Sequence, residues 1–297
     1  MPLPTVSIII VGYNGEQHLP SCLESIARLN YPEEQLEIIF VDNSSRDHSV
    51  DVARRNIERF RAFQSIELPS NMGYGGAINV AAKGAHGEVL VFLNQDVVLE
   101  PTSLRSAIDV LQREPRVGVV GYRVTLGRSD SLYAAGITFL PGMFCWNYRD
   151  LEGRCDAVSG AVLLIRRGVF EKAGEFDPTY FMYYDETDLC QRVTGMGWTV
   201  WYCPTAHALH FTSASRSKKS PFVLFHMLRN RTLLLAKFSP RPLVALYLDL
   251  LLYYPLDFLV NIHSIVRSRK ALAAVIRARW ESLWRIARQR KEALSVP

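Results

Sequence analysis

The sequence has few cysteines, five in 297 residues, and no two of them form a CxxC pair. An odd number of cysteines without paired spacing argues against a disulfide framework and predicts a protein of the reducing cytoplasm. The amino terminus, MPLPTVSIIIVGYN, lacks the basic segment and the small-residue cleavage site of a secretory signal peptide. Its apolar run is short and β-branched, which predicts a buried first strand.

The common glycine-rich phosphate loops are also missing. Neither GxGxxG nor GxxxxGK[ST] occurs, so a nicotinamide Rossmann site and a P-loop are disfavoured. The stretch NMGYGG, residues 71–76, is rich in glycine at a different spacing. Its glycines would let the backbone approach a ligand closely.

Charge is unevenly distributed along the chain, whose overall net charge is +5. Residues 1–212 hold 18 Lys and Arg against 25 Asp and Glu, whereas residues 213–297 hold 16 against 4. A basic carboxyl-terminal part predicts an anionic partner, which could be nucleic acid, acidic lipid or a phosphorylated substrate. We therefore predict a main domain over 1–212 and an extension over 213–297.

Strand-like and helix-like segments alternate along the main domain. Short apolar runs predict strands at 6–11, 36–41, 66–68, 89–93, 117–122, 157–166 and 199–203. Between them, apolar spacing predicts helices at 19–29, 50–60, 77–85, 102–113, 170–176 and from Asp185 onward, and residues 127–150 are predicted to be irregular. This alternation is typical of βαβ units and a parallel sheet, where ligands bind beyond the carboxyl ends of the strands.

The extension begins with a predicted helix at 222–238, followed by an apolar segment at 242–266. Asp249, Pro255 and Asp257 interrupt this segment. Because charges near the centre of a membrane span cost about 3 kcal/mol each, a spanning helix is disfavoured.

Residues 267–291 predict a basic amphipathic helix. Trp280 and Trp284 lie beside cations, a combination that suits the headgroup layer of an anionic membrane. Packing of this helix onto its own domain, or onto a second copy of the chain in a homodimer, is the alternative. The predicted apolar stripe consists of Leu272, Ile276, Trp280, Leu283 and Ala287.

Polar residues follow three of the predicted strands at their carboxyl ends: Tyr13-Asn14, Asp42-Asn43 and Asn94-Gln95-Asp96. Turn chemistry alone explains any one of these groups, but three at one edge of a sheet indicate a site. A carboxylate at a strand end is a ligand for Mg²⁺ or Mn²⁺, which take one or two carboxylates plus phosphate oxygens and water. We therefore predict a divalent metal at Asp96 and a nucleotide base or ribose at Asp42.

A second group of carboxylates, Asp185-Glu186-Thr187-Asp188, begins a predicted helix, where negative charge is favourable. Asp188 is predicted to pair with Arg192 one turn later, in a structural role. The aromatic residues that precede Asp185 predict shielding from water, and crowded carboxylates raise one another's pKa. A general base that deprotonates a hydroxyl group needs such a pKa.

Seven motifs follow one another over about residues 5–235: SIIIVGYN, FVDNSSRDHS, NMGYGGAIN, LNQDVVLEP, SGAVLLIRR, EFDPTYFMYYDETDLCQRVTGMGW and HALHFTSAS. Together they resemble glycosyltransferase family 2 and, within it, the bacterial rhamnosyltransferase-like branch. The resemblance implies an α/β GT-A fold, Rossmann-like, with a mostly parallel mixed sheet flanked by helices; the helical, basic, amphipathic extension follows it. It also implies a nucleotide-diphosphate sugar donor, a divalent metal (Mg²⁺ or Mn²⁺) and an inverting single displacement.

The resemblance also implies roles for individual residues. Glu186 is the implied catalytic base, and Asp185 is the second candidate because the pair reads Asp-Glu rather than the frequent Glu-Asp. Asp96 is the implied metal carboxylate in Asn-Gln-Asp, where the family has DxD, and His210 is implied at the metal or the diphosphate. The implied nucleotide-sugar-binding residues are Tyr13, Asn14, Asp42, Asn43, Asn71, Gly73, Asn94, Gln95, Arg229 and Arg231.

The predicted function is transfer of a sugar, best matched by L-rhamnose from dTDP-L-rhamnose, to a lipid-linked or cell-surface glycan acceptor. A UDP-linked donor is the other nucleotide considered, and we expect a cytoplasmic protein on the inner face of the cell membrane. One alternative is a sugar nucleotidyltransferase, which the lack of a basic phosphate loop disfavours. Another is a nucleic-acid-binding protein that uses the basic tail. Because the main domain is acidic, we expect no nucleic acid among the partners.

Overall fold

The structure is a computed structural model that describes residues 2–127, 129, 131–140, 143–211, 220–249 and 269–294. The chain forms two compact units. The first comprises Met1–Thr138, Asn147–Phe181 and Asp185–Thr212; the second comprises Phe139–Trp146, Met182–Tyr184 and Ser213–Pro297. Two short segments, 139–146 and 182–184, thus group with the extension, whereas the division predicted from the sequence assigns them to the main domain.

The strands are β1 Val6–Gly12, β2 Leu36–Asp42, β3 Phe63–Glu67, β4 Val89–Asn94, β5 Val97–Leu99, β6 Val117–Leu126, β7 Leu132–Ala134, β8 Gly136–Leu140, β9 Met143–Arg149, β10 Gly153–Cys155, β11 Val162–Arg166 and β12 Thr199–His210. The main sheet has the order β10-β12-β6-β11-β4-β1-β2-β3, with β5 beside β12 and β7 beside β6. β8 pairs with β9 in a separate two-stranded ribbon.

Most neighbouring strands of the main sheet run parallel in its amino-terminal half. β1 is parallel to β2 and β4, and β2 is parallel to β3. β11 is antiparallel to both β4 and β6, whereas β6 is parallel to β12. The predicted mostly parallel mixed sheet is confirmed.

The register of the parallel strands brings their polar ends to one edge of the sheet. Gly12 of β1 lies opposite Asp42 of β2, and Val11 lies opposite Asn94 of β4. β1 itself is buried on both faces, which explains its unbroken apolar run. The three polar turns predicted to share an edge do share it.

The helices are α1 Leu19–Ala27, α2 Ser49–Arg55, α3 Gly73–Ala82, α4 Ser103–Arg113, α5 Arg167–Lys172, α6 Asp185–Gly195, α7 Pro221–Phe238, α8 Pro242–Leu248 and α9 Arg269–Leu294. On one face of the sheet, α1 and α4 bury their apolar stripes against Ile8, Ile10 and Val91. Elsewhere in the first unit, Phe92 of β4 packs its ring on Phe170 and Phe176.

Several element boundaries differ from the prediction, each for a local reason. Residues 127–150, predicted to be irregular, contain β7, β8 and β9. α2 ends at Arg55 rather than at residue 60, because the Asn56 side chain donates to the Val52 carbonyl and competes with the helix backbone. α5 ends before residue 176, since Gly174 and Glu175 adopt positive φ.

The second unit contains α7, α8 and α9. α9 packs on α7 through small side chains: Ala271, Val275 and Ala278 share a cluster with Leu224 and Leu228. The larger apolar side chains predicted as a stripe, including Ile276 and Trp280, are exposed. Within the described part of the chain, the helix therefore packs through a narrow face of small residues, and its bulky apolar residues are exposed.

Buried ion pairs join the helices of this unit. Asp249, which is almost fully buried, pairs with Arg231 of α7 and with Arg279 of α9. In the described residues no helix is long and apolar enough to cross a membrane. Most of the apolar segment predicted at 242–266 lies outside the described residues.

Candidate active site

Gln95 fixes the loop that follows β1. Its side-chain amide donates to the Tyr13 carbonyl at 2.9 Å and accepts from the Tyr13 N–H at 3.1 Å. A side chain on Gly15 would collide with this amide, since a Cβ there would lie 1.9 Å from Gln95 Oε1. Gln95 was predicted to bind the nucleotide sugar, but both the oxygen and the nitrogen of its amide bond to the backbone of Tyr13 and position it.

Asn14 joins this loop to the one that follows β2. Its backbone N–H donates to Ser45 Oγ at 2.9 Å, and its side-chain oxygen accepts from the Arg46 N–H at 2.8 Å. Asn14 has φ of +49°, a left-handed conformation that Asn tolerates better than most residues. The carboxyl ends of β1 and β2 are therefore held as one rigid rim.

Asp42 is the buried carboxylate of this rim. Its Oδ2 accepts from the Ser45 N–H at 2.9 Å, as in a turn capped by an aspartate. Its Oδ1 is buried and has no hydrogen-bond partner among the described residues. An unsatisfied buried carboxylate oxygen is costly, so Asp42 offers an acceptor to a ligand N–H or O–H at this position.

Asn43 and Asn71 shape the glycine-rich stretch. Asn43 is buried; it accepts from the Met72 N–H at 2.8 Å and donates to the Gly73 carbonyl at 2.9 Å. Asn71 accepts from the Gly73 N–H at 2.9 Å. Gly73 has φ of +77°, and a Cβ there would lie 2.3 Å from the Phe181 carbonyl oxygen, so only glycine fits. The glycine-rich stretch NMGYGG therefore leads into α3, and its last four residues form the first turn of that helix.

Asp96 and His210 meet because β5 and β12 are antiparallel neighbours. Their pairing puts His210 opposite Val97, and the Phe211 N–H donates to the Asp96 carbonyl at 2.8 Å. As a result, His210 Nε2 lies 3.1 Å from Asp96 Oδ1. His210 Nδ1 is buried and has no hydrogen-bond partner within the described ranges.

These two side chains fit an incomplete metal site. No group of three or more His, Cys, Asp and Glu side chains within the described residues could hold a metal ion. Mg²⁺ and Mn²⁺ are, however, bound by one or two carboxylates together with substrate phosphates and water. Asp96 with His210 matches such a substrate-completed site. Asn94, the last residue of β4, lies two positions before Asp96 and carries no charge. Its backbone N–H donates to the Ala161 carbonyl.

Asp185 and Glu186 form a buried carboxyl pair in the first turn of α6. Burial raises the pKa of both groups, and for Glu186 the adjacent Asp185 charge raises the pKa further, to well above its ordinary value. Charge on one group disfavours charge on the other, so the buried pair holds a proton that an exposed pair would release. Asp188, by contrast, pairs with Arg192 at 2.7 Å, and its predicted structural role is confirmed.

Two left-handed residues precede this pair. Tyr183 has φ of +62° and Tyr184 has φ of +65°. Left-handed backbone costs a non-glycine residue about 1–2 kcal/mol, and such strain persists only where the surrounding structure holds it. This turn immediately precedes Asp185, the first residue of α6.

Tyr74 is a site residue that the sequence analysis did not identify. Its hydroxyl donates to the Gly160 carbonyl at 2.7 Å. Its pKa is raised well above the ordinary value, first by burial and then by the charges of Asp185, Glu186 and Asp96. The charges of three carboxylates from two separate motifs therefore act on one partly buried tyrosine.

Two further aromatic residues come from the segment predicted to be irregular. The Tyr133 ring packs edge-on against the His210 ring with centroids 4.6 Å apart. The pKa of Tyr148 is raised by burial and then by the Glu186 charge. Tyr133 belongs to β7 and Tyr148 to β9. In the sequence, the only signal for these strands is the alternation of aromatic and small residues in this segment.

Comparisons with known proteins bear on this geometry. A family profile described as glycosyl transferase family 2 matches residues 7–174, more than half of the chain. The chain belongs to glycosyl transferase family 2. It is therefore a glycosyltransferase, as the sequence predicts.

Among its relatives, a Mycobacterium tuberculosis N-acetylglucosaminyl-diphospho-decaprenol L-rhamnosyltransferase is 27% identical over 242 residues, which cover 71% of this chain and 77% of the relative. A mannosyltransferase from Pyrobaculum calidifontis, solved with GDP-Man and Mn²⁺, has a TM-score of 0.63 at 19% identity and matches 100% of this chain and 82% of that one.

The structure of GalNAc-T7 with UDP, GalNAc and Mn²⁺ has a TM-score of 0.64 at 16% identity and covers 79% of this chain. The chain spans about half of that protein's length, 48%. These structural likenesses show the GT-A fold.

Arg229 and Arg231, both predicted to touch the donor diphosphate, belong to α7 in the second unit. Arg229 Nε lies 3.1 Å from Glu281 Oε1, and Arg231 Nη2 lies 2.8 Å from Asp249 Oδ1. Their binding to the diphosphate stays a prediction, as do the ligand contacts of the other predicted site residues.

The raised pKa of Glu186 predicts a pH-dependent cost in stability. A carboxyl group whose pKa is higher in the folded protein stabilises the fold below its unfolded pKa and loses that contribution as pH rises toward the folded pKa. Above the ordinary value of 4.5, each pH unit therefore costs the wild type up to about 1.4 kcal/mol. Glu186→Gln cannot ionise, so its melting temperature should exceed that of the wild type by a margin that widens from pH 5 to pH 8. The exposed Glu171→Gln on α5 is the control, and parallel curves for Glu186→Gln and the wild type would contradict the raised pKa.

Proposed function

We propose that the chain is an inverting transferase that moves a sugar from a nucleotide-diphosphate donor to an acceptor hydroxyl. One observation carries the proposal: the first unit contains a buried carboxyl pair, Asp185–Glu186, and a further carboxylate, Asp96, whose Oδ1 lies 3.1 Å from His210 Nε2. A proton acceptor and a metal-type carboxylate are both needed near the carbon atom where a diphosphate leaves and a hydroxyl attacks.

Several features support a nucleotide-diphosphate sugar, with dTDP-L-rhamnose as the first choice and a UDP-linked sugar as the second. The free Oδ1 of Asp42 suits the imide N–H of thymine or uracil, or a ribose hydroxyl. The bacterial relative is named a rhamnosyltransferase, and structural relatives were solved with UDP or GDP-Man.

Asp96 and His210 are the residues that would hold Mg²⁺ or Mn²⁺. When bound there, the ion supplies positive charge that offsets the charge developing on the departing diphosphate. Structural relatives crystallised with Mn²⁺ support a divalent ion of this kind.

Glu186 accepts the proton of the acceptor hydroxyl on the face of the sugar opposite the diphosphate. Attack from that face inverts the anomeric centre. Because burial and Asp185 raise its pKa, ionised Glu186 takes a proton more readily than an exposed glutamate does. Asp185 maintains this proton affinity and remains the second candidate for the base.

Glu186→Gln tests the base directly. The amide keeps the size of the side chain but cannot accept the proton, so turnover should fall by about 10²–10⁴-fold. Affinity for the nucleotide diphosphate, measured by calorimetry, should stay near that of the wild type. Glu171→Gln should retain full turnover, and wild-type turnover in Glu186→Gln would rule out this assignment.

A thermal-shift panel of dTDP, UDP and GDP, each with and without Mn²⁺, tests the donor and the metal together. A ligand present at about 100 times its Kd stabilises the fold by about 2.7 kcal/mol, which corresponds to a rise of several degrees. We expect such a rise for dTDP or UDP only with Mn²⁺, and we expect Asp96→Asn to lose it. A metal-dependent rise that survives in both Asp96→Asn and His210→Gln would place the ion elsewhere.

The exposed face of α9 supports an acceptor at a membrane surface. Its bulky apolar residues are uncovered, and the exposed fraction of the Trp280 side chain reaches 74%. Lys270, Arg277 and Arg288 are exposed on the same helix, and the Arg288 guanidinium lies over the Trp284 ring. Tryptophan beside cations on an amphipathic helix suits an anionic headgroup layer. The relative named as acting on a diphospho-decaprenol points to a lipid-linked acceptor.

Sedimentation with lipid vesicles tests this surface. The protein should pellet with vesicles that contain phosphatidylglycerol and much less with pure phosphatidylcholine. Trp280→Ser should weaken binding by roughly tenfold, about 1.4 kcal/mol of lost apolar burial. Leu151→Ser removes a similarly exposed apolar residue from the first unit and should bind as the wild type does. Failure to pellet, together with a dimer by analytical ultracentrifugation, would assign the face to a second copy instead.

A further inference from the structure

Asn230 of α7 holds the turn that leads into the carboxyl pair. It is fully buried, with 0% of its surface exposed. Its side-chain nitrogen donates to the Met182 carbonyl at 2.8 Å and to the Tyr183 carbonyl at 2.9 Å. Both hydrogens of one amide are therefore spent on two consecutive carbonyl groups, which belong to the second unit together with Asn230.

Arg229 sets the orientation of this amide. Its Nη1 donates to Asn230 Oδ1 at 2.6 Å. A guanidinium can only donate, so the amide oxygen must face Arg229 and the amide nitrogen must face the two carbonyls. Glu281 of α9 in turn accepts from Arg229 Nε at 3.1 Å. The orientation of Asn230 is thus determined by a hydrogen bond from Arg229, which also pairs with Glu281, rather than by packing alone.

The segment that Asn230 holds is also the segment with left-handed backbone conformation. Met182 and Tyr183 contribute the carbonyls, Tyr183 and Tyr184 are left-handed, and the next residue along the chain is Asp185. A left-handed turn of two tyrosines persists only where neighbouring groups hold it. Asn230 supplies two hydrogen bonds at this point.

We propose that Asn230 is a positioning residue for the Asp185–Glu186 pair, and that Arg229 and Glu281 orient it. By fixing the Met182 and Tyr183 carbonyls, Asn230 sets the direction in which α6 begins and so the place of the Glu186 carboxyl group. The proposal rests on the proposed role of Glu186 as base. It assigns to Arg229 a task that does not require contact with the donor.

Three variants test the proposal with the full-length protein. Asn230→Asp has the same shape but, when ionised, only accepts, so it repels the carbonyls that Asn230 holds. Asn230→Ser keeps one donor. Arg229→Lys keeps the charge. A lysine has a single ammonium nitrogen, however, and lacks the separate guanidinium nitrogens that reach both Glu281 and Asn230.

The matched control is Asn79→Asp. Asn79 makes the same kind of amide-to-backbone clamp, donating to the Phe176 carbonyl at 2.8 Å and accepting from its N–H at 3.0 Å. This clamp acts nine residues before Asp185, outside the left-handed turn.

We expect Asn230→Asp to lower kcat by about 10²-fold, the effect of misplacing a catalytic group by about 1 Å, with little change in donor KM. Asn230→Ser should lose less, and Arg229→Lys should also lower kcat rather than raise donor KM. The acid limb of the kcat–pH profile should move in all three, because the surroundings of Glu186 change. Asn79→Asp should lower the melting temperature and leave that profile in place.

Other results would overturn the proposal. If the Asn230 variants lose activity in proportion to stability with an unmoved pH profile, as expected for Asn79→Asp, Asn230 is only a structural residue. A raised donor KM in Arg229→Lys at unchanged kcat would assign Arg229 to the diphosphate. Wild-type kinetics in Asn230→Asp alongside an inactive Glu186→Gln would remove the positioning role alone. Wild-type turnover in Glu186→Gln would remove the base and the positioning role with it.

Discussion

The burial of two adjacent carboxyl groups is the constraint around which the rest of the site is arranged. A carboxylate taken out of water is costly, and a second one beside it adds repulsion. The chain offsets part of this cost at the amino-terminal end of α6, where backbone amides favour negative charge. What remains is a high proton affinity. Such an arrangement weakens the fold, so its presence is explained by chemistry rather than by stability.

Side-chain amides supply the rigidity that this constraint demands. Gln95, Asn43 and Asn79 each accept from one backbone N–H and donate to one backbone carbonyl of a distant segment. Each amide therefore makes a pair of hydrogen bonds like the one that joins two residues of neighbouring strands, but it joins segments that are not strands. Because these amides bond to backbone groups, few polar atoms remain to bind a ligand at the carboxyl-terminal edge of the parallel strands. Within the described part of the chain, Asp42 Oδ1 and His210 Nδ1 are two of them.

The amide contacts also mark where prediction from the sequence stops. Continuous apolar runs identified the central strands, and the DETD cluster correctly located the start of α6 and the Asp188–Arg192 pair. Gln95 was predicted to bind a ligand because its motif suggested so. Its contact with Tyr13 spans 82 positions and leaves no local signal. β7 has only three residues, and β8 and β9 form a ribbon apart from the main sheet, so Tyr133 and Tyr148 were not identified as site residues. For α9, the apolar periodicity identified the stripe of bulky residues. It did not identify the side that packs on α7, because that side consists of small residues.

The composition at the end of β4 has a consequence for the order of binding. Asn94 is neutral and Gln95 is turned toward the Tyr13 backbone, so Asp96 is the single carboxylate of this triplet. One carboxylate and one imidazole leave most of the octahedral sphere of Mg²⁺ to water and phosphate oxygens. An ion held by Asp96 and His210, as proposed, would take its other ligands from water and from phosphate oxygens of the donor, and it would supply a charge partner for the donor diphosphate. Linkage makes this dependence mutual, since whatever the donor adds to metal affinity the metal adds to donor affinity. A site with two or three carboxylates would bind the ion before the donor, whereas the proposed site at Asp96 and His210 would favour their joint binding.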